Sequence, residues 1–410
     1  MELERNVAML SAEEAQRTIQ SFVLSSGPEV LPLDRALGRI LAFPVKAPVD
    51  LPLFDNAAMD GFAVRSEETF DRTSVLFKVI GSVEAGSNVE PPRVRLGQAV
   101  RIMTGASVPE GADAVVPFEE SVSNGDSLVI DHEVSKGENI RKKGEDVRRG
   151  EVVLRHGVLI TSRTISLLAA LGIAEVSVFR RPRVRIVVTG NELVEIGAPL
   201  QRAKIYNSNG PTLVAALREA GVPPESVAVV SDQPDLLTSR IREGLEGEVL
   251  LTIGGVSAGD LDLVPKILDE IGAKIHFHKV AIKPGKPLLF GTVGEKLIFG
   301  LPGNPVSALI VFERFVRPAL LRMMGMDECF PVRKTAIAME EFKGSSDRET
   351  YLRGVVAYKD GRYEAISAGV QGSAQLKTLA CSNATLIIPV SRGTIRTGEP
   401  VLFEFFKEGA

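Results

Sequence analysis

The residues with the clearest potential for chemistry lie in three polar loops, each of which directly follows a predicted strand. These loops are 189–192 (TGNE), 231–232 (SD) and 254–260 (GGVSAGD). Because ligands of open parallel sheets bind beyond the carboxyl ends of the strands, we expect the three loops to converge on one site. The glycines allow backbone amides to approach an anion closely, and the N-terminus of a following helix adds positive potential for phosphate.

Each of these motifs also has a purely structural interpretation. The GGVSAG segment, taken alone, is explained equally well as a turn that starts a helix without binding a ligand. Asp260 and Asp262 could likewise be first-turn carboxylates that the helix dipole stabilises. The convergence of several loops, rather than any single motif, therefore indicates a binding site.

Two rigid turns further along the chain carry basic and polar groups. Lys283 and Lys286 flank a Pro-Gly pair in the segment 283–287 (KPGKP), where they could hold a phosphate or another oxyanion. A solvated turn would have the same pattern. The segment 301–307 (LPGNPVS) fixes the backbone at a predicted strand-to-helix junction and directs helix amides toward the same rim. We predict one short strand between the two turns, which would bring both to the same site.

These loops require a framework of alternating strands and helices, and the sequence predicts one between residue 183 and about residue 325. Apolar strand-like runs alternate with amphipathic segments such as PTLVAALREAG and DLLTSRIREGL. This alternation predicts a parallel α/β domain. A helix that begins after Pro305 completes the domain, and Pro318 is a candidate position for a kink.

The rest of the chain is predicted to be mainly β-structure. Short strand-like runs broken by Gly, Pro and Asn indicate a β-rich insert in the N-terminal half, and further runs indicate a small C-terminal β domain. Ser11 and Glu14 have the spacing of a capping box at the start of one helix, and Thr161 can cap a second. We expect these two helices to pair and to close one domain around the insert.

The predicted fold class is therefore multi-domain α/β plus β, with a parallel α/β domain, a β-rich insert and a small C-terminal β-barrel-like domain. The predicted domains are a helical linking domain (1–43 and 147–181), the insert (44–146), the α/β domain (182–328) and the C-terminal β domain (329–410).

The composition limits the classes of function. The chain has 410 residues, of which 44% are hydrophobic and 24% charged, as is typical of a multi-domain globular protein. A formal net charge of −4 argues against general nucleic-acid binding, which requires a basic surface. The only cysteines are Cys329 and Cys381, which favours a reducing cytoplasm over a disulfide framework. Neither a secretory signal nor a membrane-spanning run is predicted.

The ordered set of TGNEL, GGVSAGDLD, IKPGKP and GLPGNPVSA resembles the molybdopterin molybdenumtransferase family, which includes the E domain of gephyrin. The N-terminal half agrees, because PLFDNAAMDGFA, MTGA, PEGAD and RKKGED also follow in the family's order. The resemblance covers nearly the whole chain. It implies that the α/β domain is of the molybdopterin-binding type.

This resemblance implies a cytoplasmic transferase that inserts molybdate into adenylylated molybdopterin, releases AMP and gives the molybdenum cofactor. It also implies a divalent cation, commonly magnesium, near the phosphates and acidic residues. The working unit implied is a homodimer whose site draws on both subunits. Other proteins of molybdenum-cofactor biosynthesis are further candidate partners, whereas nucleic acids and membranes are not.

Functional residues can be carried over position by position from the family's motifs. The resemblance implies catalytic roles for Asp60, Asp146, Glu192, Asp262, Lys283 and Lys286. It implies substrate-binding roles for Thr104, Asp232, Gly254, Gly255, Ser257, Pro302, Gly303, Asn304, Pro305 and Ser307. Glu192 and Asp262 are the expected metal ligands, since carboxylate oxygens suit a hard cation.

The sequence departs from the family pattern at four positions, where hydroxyl groups or glycine are usual: Ala57, Phe62, Ile253 and Ala384. The lost hydroxyl groups could alter contacts with the oxyanion or the pterin, and Ala384 could change a turn. His276 and His278 share one face of a predicted strand, for which we favour a structural role over zinc ligation.

Alternative functions remain open at the level of sequence. Molybdate and tungstate are tetrahedral dianions of nearly equal size, so the same cationic pocket could prefer tungstate. A noncatalytic scaffold like the gephyrin E domain, or a pterin-binding module without turnover, would retain the same motifs.

Overall fold

The structure, a computed structural model, describes residues 9–256 and 262–406. The chain divides into two compact units: unit 1 comprises Met1–Glu29, Gly38–Ala42 and Ser177–Ala410, and unit 2 comprises Val30–Leu37 and Phe43–Val176. Every helix within the described ranges is too short or too polar to cross a membrane.

Eight α-helices lie in the described residues: α1 (Ala12–Gln20), α2 (Ser162–Ala170), α3 (Asn209–Glu219), α4 (Pro234–Gly244), α5 (Leu263–Glu270), α6 (Pro305–Val311), α7 (Arg317–Met323) and α8 (Leu376–Ala380). The predicted capping box of α1 is confirmed, because the Ser11 hydroxyl accepts from the N–H of Glu14 at 3.2 Å and the Glu14 carboxylate accepts from the N–H of Ser11 at 2.8 Å. The Thr161 hydroxyl caps α2 as predicted.

The first twelve strands are β1 (Pro28–Pro32), β2 (Val45–Lys46), β3 (Asn56–Ala57), β4 (Gly61–Val64), β5 (Val75–Val83), β6 (Gln98–Ile102), β7 (Ala114–Pro117), β8 (Val122–Asn124), β9 (Ser127–Ile130), β10 (Ile140–Arg141), β11 (Val152–Leu154) and β12 (Glu175–Phe179). Unit 2 contains a six-stranded sheet in the order β7-β4-β6-β5-β9-β8. A Cβ at Gly61 would lie 2.0 Å from the carbonyl oxygen of Val116 on the neighbouring strand, so the close pairing of β4 and β7 requires glycine there.

The next nine strands are β13 (Val184–Thr189), β14 (Leu193–Val194), β15 (Ile205–Tyr206), β16 (Ser226–Val230), β17 (Val249–Ile253), β18 (Lys274–Lys279), β19 (Ile282–Lys283), β20 (Pro287–Val293) and β21 (Lys296–Leu301). Six of them form a sheet in the order β16-β13-β17-β21-β20-β18. The helices α3 and α6 supply core residues on one face, and α4 and α5 on the other. Burial on both faces explains why the central strands are almost entirely apolar.

This sheet is mixed rather than wholly parallel, which corrects part of the prediction. The strands β16, β13, β17 and β21 run parallel, whereas β20 pairs antiparallel with both β21 and β18. The segment between the KPGKP and LPGNP turns is therefore a hairpin, closed by Gly294 and Glu295, and not one short strand. The extra strand escaped prediction because buried runs such as PLLFGTV lack the alternation that marks a half-exposed strand.

The last seven strands are β22 (Lys334–Ala338), β23 (Phe342–Lys343), β24 (Glu349–Lys359), β25 (Arg362–Ser367), β26 (Ala384–Ile388), β27 (Thr394–Ile395) and β28 (Pro400–Phe405). The order β24-β25-β22-β28-β26 closes on itself, because β26 also pairs with β24. The result is a small closed barrel, as predicted, around a separate apolar core that includes Phe342, Leu386 and Phe403.

The helix predicted after Pro305 runs through α6 and α7 and is interrupted by a π-helical segment, Phe312–Val316. Pro318 has no N–H, so it leaves the carbonyl group of Arg314 without its usual partner four residues later. The side-chain amide of Gln16, on α1, donates to that carbonyl at 3.1 Å.

The placement of α1 differs from the expectation that it pairs with α2. Ala15 and Ile19 on α1 are fully buried in the core that contains Phe312 and Phe315, in unit 1, whereas α2 belongs to unit 2. The apolar face of α1 packs into the same core as the α6–α7 helix. The spacing of apolar residues within α1 predicts that this face is buried, but not which helix it contacts.

Candidate active site

A cavity of about 810 Å³ opens at the carboxyl ends of β13, β17 and β21 in unit 1. These strands are parallel and end in register, since Val188 lies opposite Ile253 and Ile253 lies opposite Leu301. The loops that follow them therefore reach one edge of the sheet. The predicted residues that line the cavity are Glu192, Asp232, Gly254, Gly255, Asp262, Pro302, Gly303, Asn304 and Pro305.

The glycine loop passes unusually close to the end of β13. Gly254 has a φ of +89°, and a Cβ there would lie 2.5 Å from the carbonyl oxygen of Thr189. Its N–H donates to the carbonyl of Leu301 at 3.2 Å, which ties the loop to β21. A glycine is thus required both for the backbone angle and for the space. Ser257 lies outside the described residues.

His278 on β18 supports the same loop from the side. Its Nε2 lies 2.9 Å from the carbonyl oxygen of Val256, so this ring nitrogen carries the hydrogen and donates. His276 has a different partner, the Thr292 hydroxyl at 3.0 Å, and its ring centroid lies 4.0 Å from that of Phe22. Both rings therefore have specific structural contacts within unit 1.

Asp232 organises the first two loops. It accepts a short hydrogen bond from the hydroxyl of Thr189 and another, at 3.2 Å, from the N–H of Asn191. Its own N–H donates to Oδ1 of Asn191 at 3.0 Å. Both carboxylate oxygens of Asp232 already accept a hydrogen bond, so fewer of their lone pairs are available to a ligand.

Glu192 and Asp262 are the other two carboxylates in the cavity lining. Within the described ranges, no group of three or more His, Cys, Asp or Glu side chains could by itself enclose a metal ion. A Mg²⁺ ion typically takes one or two carboxylates and fills the remaining positions with water and substrate phosphate oxygens. The hard oxygen donors of Glu192 and Asp262 fit that requirement.

The turn 301–307 forms another wall of the cavity. Asn304 precedes α6, and its carbonyl accepts from the N–H of Ala308 at 2.9 Å. Pro305 has no N–H, and the N–H of Val306 donates to the carbonyl of Ser373 at 3.3 Å, so the helix start is joined to the barrel loop. Ser307, in contrast, is 4% exposed and is not among the lining residues, so the structure does not bring it to the cavity surface.

The two predicted catalytic lysines are exposed and are not among the residues that line the cavity, whereas Pro287, directly after Lys286, is. Their turn packs closely against α6 at Gly285, where an added Cβ would lie 2.8 Å from a methyl group of Val311. Lys283 also pairs with Thr350 of the barrel strand β24. Both lysines are therefore exposed residues of a packed turn, and Lys286 directly precedes the cavity-lining Pro287.

Sequence reasoning missed a second set of lining residues, which includes Tyr206, Asn207 and Asn209 before and within α3 and Ala374 and Leu376 from the barrel. The barrel loop is held by Arg353, a fully buried residue that donates to the carbonyls of Val370, Gln371 and Gly372. The cluster YNSNG before a predicted helix was a signal for the first group. No local pattern in the sequence predicts the contribution of the barrel.

Asp60, Thr104 and Asp146 belong to unit 2. The structure brings the first two together, since the carboxylate of Asp60 accepts from the N–H of Thr104 at 2.7 Å and from its hydroxyl at 2.8 Å. The backbone bond, and then the hydroxyl bond, hold the pKa of Asp60 below its usual value. Asp146 is exposed, and its N–H donates to the carbonyl of Leu51 at 3.1 Å.

The charged loop RKKGED has a structural role that its sequence did not reveal. Nζ of Lys142 donates to Asp55 at 2.9 Å, and the N–H of Lys143 donates to the same carboxylate at 2.8 Å. Nζ of Lys143 also lies 3.5 Å from the carboxylate of Asp50. These contacts tie the loop of Asp146 to the segment PLFDN.

The four departures from the family pattern all lie in packed interiors. Ala57, Phe62, Ile253 and Ala384 are each between 0% and 4% exposed. Ile253 also lines the cavity. Ala384 begins the strand β26 opposite Gly354, so its position is extended and does not require the turn geometry of glycine.

Three protein-family models match consecutive parts of this chain. Residues 10–172 match the model of the MoeA N-terminal region (domains I and II), residues 185–322 that of a probable molybdopterin-binding domain, and residues 335–406 that of the MoeA C-terminal region (domain IV). The molybdopterin molybdenumtransferase of Haemophilus influenzae is 36% identical over 97% of this chain and 99% of its own length.

Two further relatives agree with this match. Molybdopterin molybdenumtransferase 2 of Mycobacterium tuberculosis is 37% identical over 93% of this chain and 96% of its own. The crystal structure of the molybdopterin biosynthesis MoeA protein from Pyrococcus horikoshii is 32% identical, covers 97% of this chain and all of its own, and superposes with a TM-score of 0.83. With three consecutive family models and full-length relatives of one name, this chain belongs to the molybdopterin molybdenumtransferase (MoeA) family.

Proposed function

We propose that this chain is a molybdopterin molybdenumtransferase that inserts molybdate into adenylylated molybdopterin, releases AMP and yields the molybdenum cofactor. The observation that carries the proposal is the 810 Å³ cavity at the ends of parallel strands, lined by a glycine loop, the start of a helix and the carboxylates of Glu192, Asp232 and Asp262. This combination suits a ligand with phosphate groups, in a chain whose family is named for this transfer.

In this proposal the chain binds and orients the substrate and forms no covalent intermediate with it. The glycine loop lets phosphate oxygens approach the backbone closely, and the N-terminal end of α6 adds positive potential beside it. Lys283 and Lys286, which are exposed in the turn before the cavity-lining Pro287, offset the negative charge of molybdate in this proposal. Water attacks the phosphorus of the adenylate and the phosphoanhydride breaks, which releases AMP and leaves molybdopterin phosphate. The two dithiolene sulfurs bind molybdenum and displace an oxo group of molybdate, which leaves as water with the two thiol protons.

We also propose a requirement for Mg²⁺, with Glu192 and Asp262 as its protein ligands. The cation would offset the charge that develops on the phosphate oxygens when the anhydride is cleaved. Asp232 would act instead by holding the loop 189–192 in place, because its carboxylate already accepts bonds from Thr189 and Asn191. Asp60, Thr104 and Asp146 are proposed to act from unit 2.

We further propose that the enzyme is a homodimer of the cytoplasm. Two free thiols, at Cys329 and the exposed Cys381, are compatible with a reducing compartment. Other proteins of molybdenum-cofactor biosynthesis are proposed as partners that deliver the substrate or receive the product.

The direct test is to incubate purified protein with adenylylated molybdopterin, Mg²⁺ and molybdate, and to follow AMP release and cofactor formation. Parallel reactions with tungstate and with a strong chelator test the anion preference and the metal requirement. Asp262→Ala and Lys286→Ala should lower turnover more than thermal stability, since both residues lie on loops. Absence of product with either anion would leave the scaffold or pterin-binding alternatives.

A further inference from the structure

Arg353, on β24, is fully buried although its guanidinium is charged. Buried arginines are almost always paired with a carboxylate, as Arg314 is with Glu404 in this chain. Within the described ranges, the partners of the Arg353 guanidinium are instead neutral oxygens: the carbonyls of Val370, Gln371 and Gly372 at 3.1, 3.3 and 3.0 Å, and the hydroxyl of Thr378 at 3.4 Å. Three successive main-chain carbonyls therefore converge on one side chain.

These carbonyls belong to the barrel loop, which we define as residues 368–375, between β25 and α8. The loop contains no strand, so its buried carbonyls need donors from outside the sheet ladder. The main chain of Arg353 holds the same loop, because its N–H donates to Oε1 of Gln371 at 2.9 Å and its carbonyl accepts from Nε2 of Gln371 at 2.9 Å. Arg353 thus fixes the barrel loop through both its backbone and its side chain.

The side chain of Arg353 lies outside the barrel core. Successive side chains of a strand point to opposite faces, so Arg353 shares a face with Tyr351 and not with Leu352. Tyr351 is buried in the core of the α/β domain, whereas Leu352 belongs to the barrel core. Shortening the side chain of Arg353 therefore leaves the apolar packing inside the barrel intact.

The far end of the barrel loop borders the cavity. Ala374, in the loop, and Leu376, at the start of α8, line the cavity, and Leu376 is 40% exposed and therefore accessible to a ligand. The carbonyl of Ser373 accepts from the N–H of Val306, at the start of α6, at 3.3 Å. The loop thus joins the cavity wall to the helix start, and a shift of the loop would move both.

We infer that Arg353 is a positioning residue whose guanidinium holds the barrel loop in the place where it completes the cavity wall. This inference rests on the proposed function and makes the C-terminal barrel part of the substrate-binding site. Arg353 contacts no substrate and acts only through the loop. An arginine suits this role because its planar guanidinium presents several donors in a fixed geometry, whereas a lysine has one ammonium group on a flexible stem.

The test combines steady-state kinetics with amide hydrogen exchange. Arg353→Met removes every bond from the guanidinium to the loop, and it should raise the KM for adenylylated molybdopterin at least about tenfold with a smaller change in kcat. Arg353→Lys, which keeps the charge and one donor group, should recover part of the loss. Exchange should become faster in the barrel loop and at the start of α6, but not in β26 and β28.

Arg333→Met is the matched control, because Arg333 pairs with Glu349 and Glu404 and is not among the residues that line the cavity. It should lower the thermal stability without changing KM. Gln371→Ala, at a half-buried position, serves if Arg353→Met does not fold, and it should raise KM in the same direction by a smaller factor.

Two results would overturn the inference. One is an unchanged KM in folded variants whose barrel loop exchanges faster, and the other is an equal rise of exchange in the loop and in β26 and β28, which would make Arg353 a residue of barrel stability only. An inactive wild-type protein would instead refute the proposed function, while the exchange pattern by itself would still support or overturn the hold of Arg353 on the loop.

Discussion

The side-chain amide of Gln16 donates to the main-chain carbonyl of Arg314, a residue 298 positions later in the chain. The bond fills the gap that Pro318 leaves in the hydrogen-bond ladder of the α6–α7 helix. At the same place, the N–H of Arg317 bonds to the carbonyl of Phe312 in the π-helical segment. The N-terminal helix therefore completes the backbone bonding of a helix that it reaches only in the folded chain.

We predict that Gln16→Ala lowers the free energy of unfolding by about 1–2 kcal/mol, because it leaves a part-buried carbonyl without a partner. Chemical denaturation followed by circular dichroism measures the change. Gln20→Ala, on the same helix, is the control, since its side chain makes no hydrogen bond to the described residues and should cost less. Equal effects of the two substitutions would contradict a specific role for Gln16.

We predict that Gly254→Ala reduces AMP release at least about tenfold. The residue would be strained by about 1–3 kcal/mol at a φ of +89°, and its Cβ would also collide with the carbonyl of Thr189. Gly272→Ala separates the two effects, because Gly272 has a φ of +81° but no atom within 4 Å of an added Cβ. Similar turnover of the two variants would show that the close approach to Thr189 is unimportant.

His278→Phe should weaken substrate binding several-fold by releasing the carbonyl of Val256 at the start of the glycine loop, a loss of about 1 kcal/mol. The ring volume is nearly retained, so the fold should persist. Steady-state kinetics should show the effect mainly in KM, and His278→Gln, which retains a donor, should recover part of it. The prediction fails if His276→Phe, on the same strand, has the same effect on KM.

The carboxyl of Asp60 should titrate below the ordinary aspartate pKa of about 3.9, because the Thr104 N–H and hydroxyl stabilise its charged form. A lowered folded-state pKa contributes stability that is present above the unfolded pKa and is lost as the pH falls through the folded value. The amide shift of Thr104, measured by NMR, should therefore change only in strong acid. Asp60→Asn should remove this titration, and a midpoint at or above 3.9 would refute the assignment.

Mixed dimers test how the proposed sites are shared. Asp60 and Asp262 belong to different units of the chain, so each can be inactivated separately. If two chains complete each site, Asp60→Ala and Asp262→Ala subunits should together form one site without a lesion and recover part of the activity. Differently tagged subunits confirm that heterodimers have formed. Heterodimers without activity would indicate that each site lies within one chain.

Local patterns accounted for most elements of the fold and for part of the cavity lining. The capping box of Ser11 and Glu14 and the apolar strand 184–189 depend only on neighbours in sequence, and both were predicted. The order of motifs in the family resemblance indicated Glu192, Asp232 and Asp262, which the structure places in one cavity. Strand β20 was missed because burial on both faces removes the alternation on which such predictions rest.

The sequence by itself therefore determined many of the elements, the family and the acids that follow the parallel strands, because each depends on residue type and the order of short motifs. Tertiary structure decided which distant groups meet. It joined Asn209 to Gly303 across 94 positions and Lys143 to Asp55 across 88. It also showed that the carboxylate of Asp232 accepts a hydrogen bond from the Thr189 hydroxyl, and that Lys283 and Lys286 are exposed. Such contacts form only when helices and strands pack against one another. Packing depends on the shapes of the surfaces that meet, which short sequence patterns do not show.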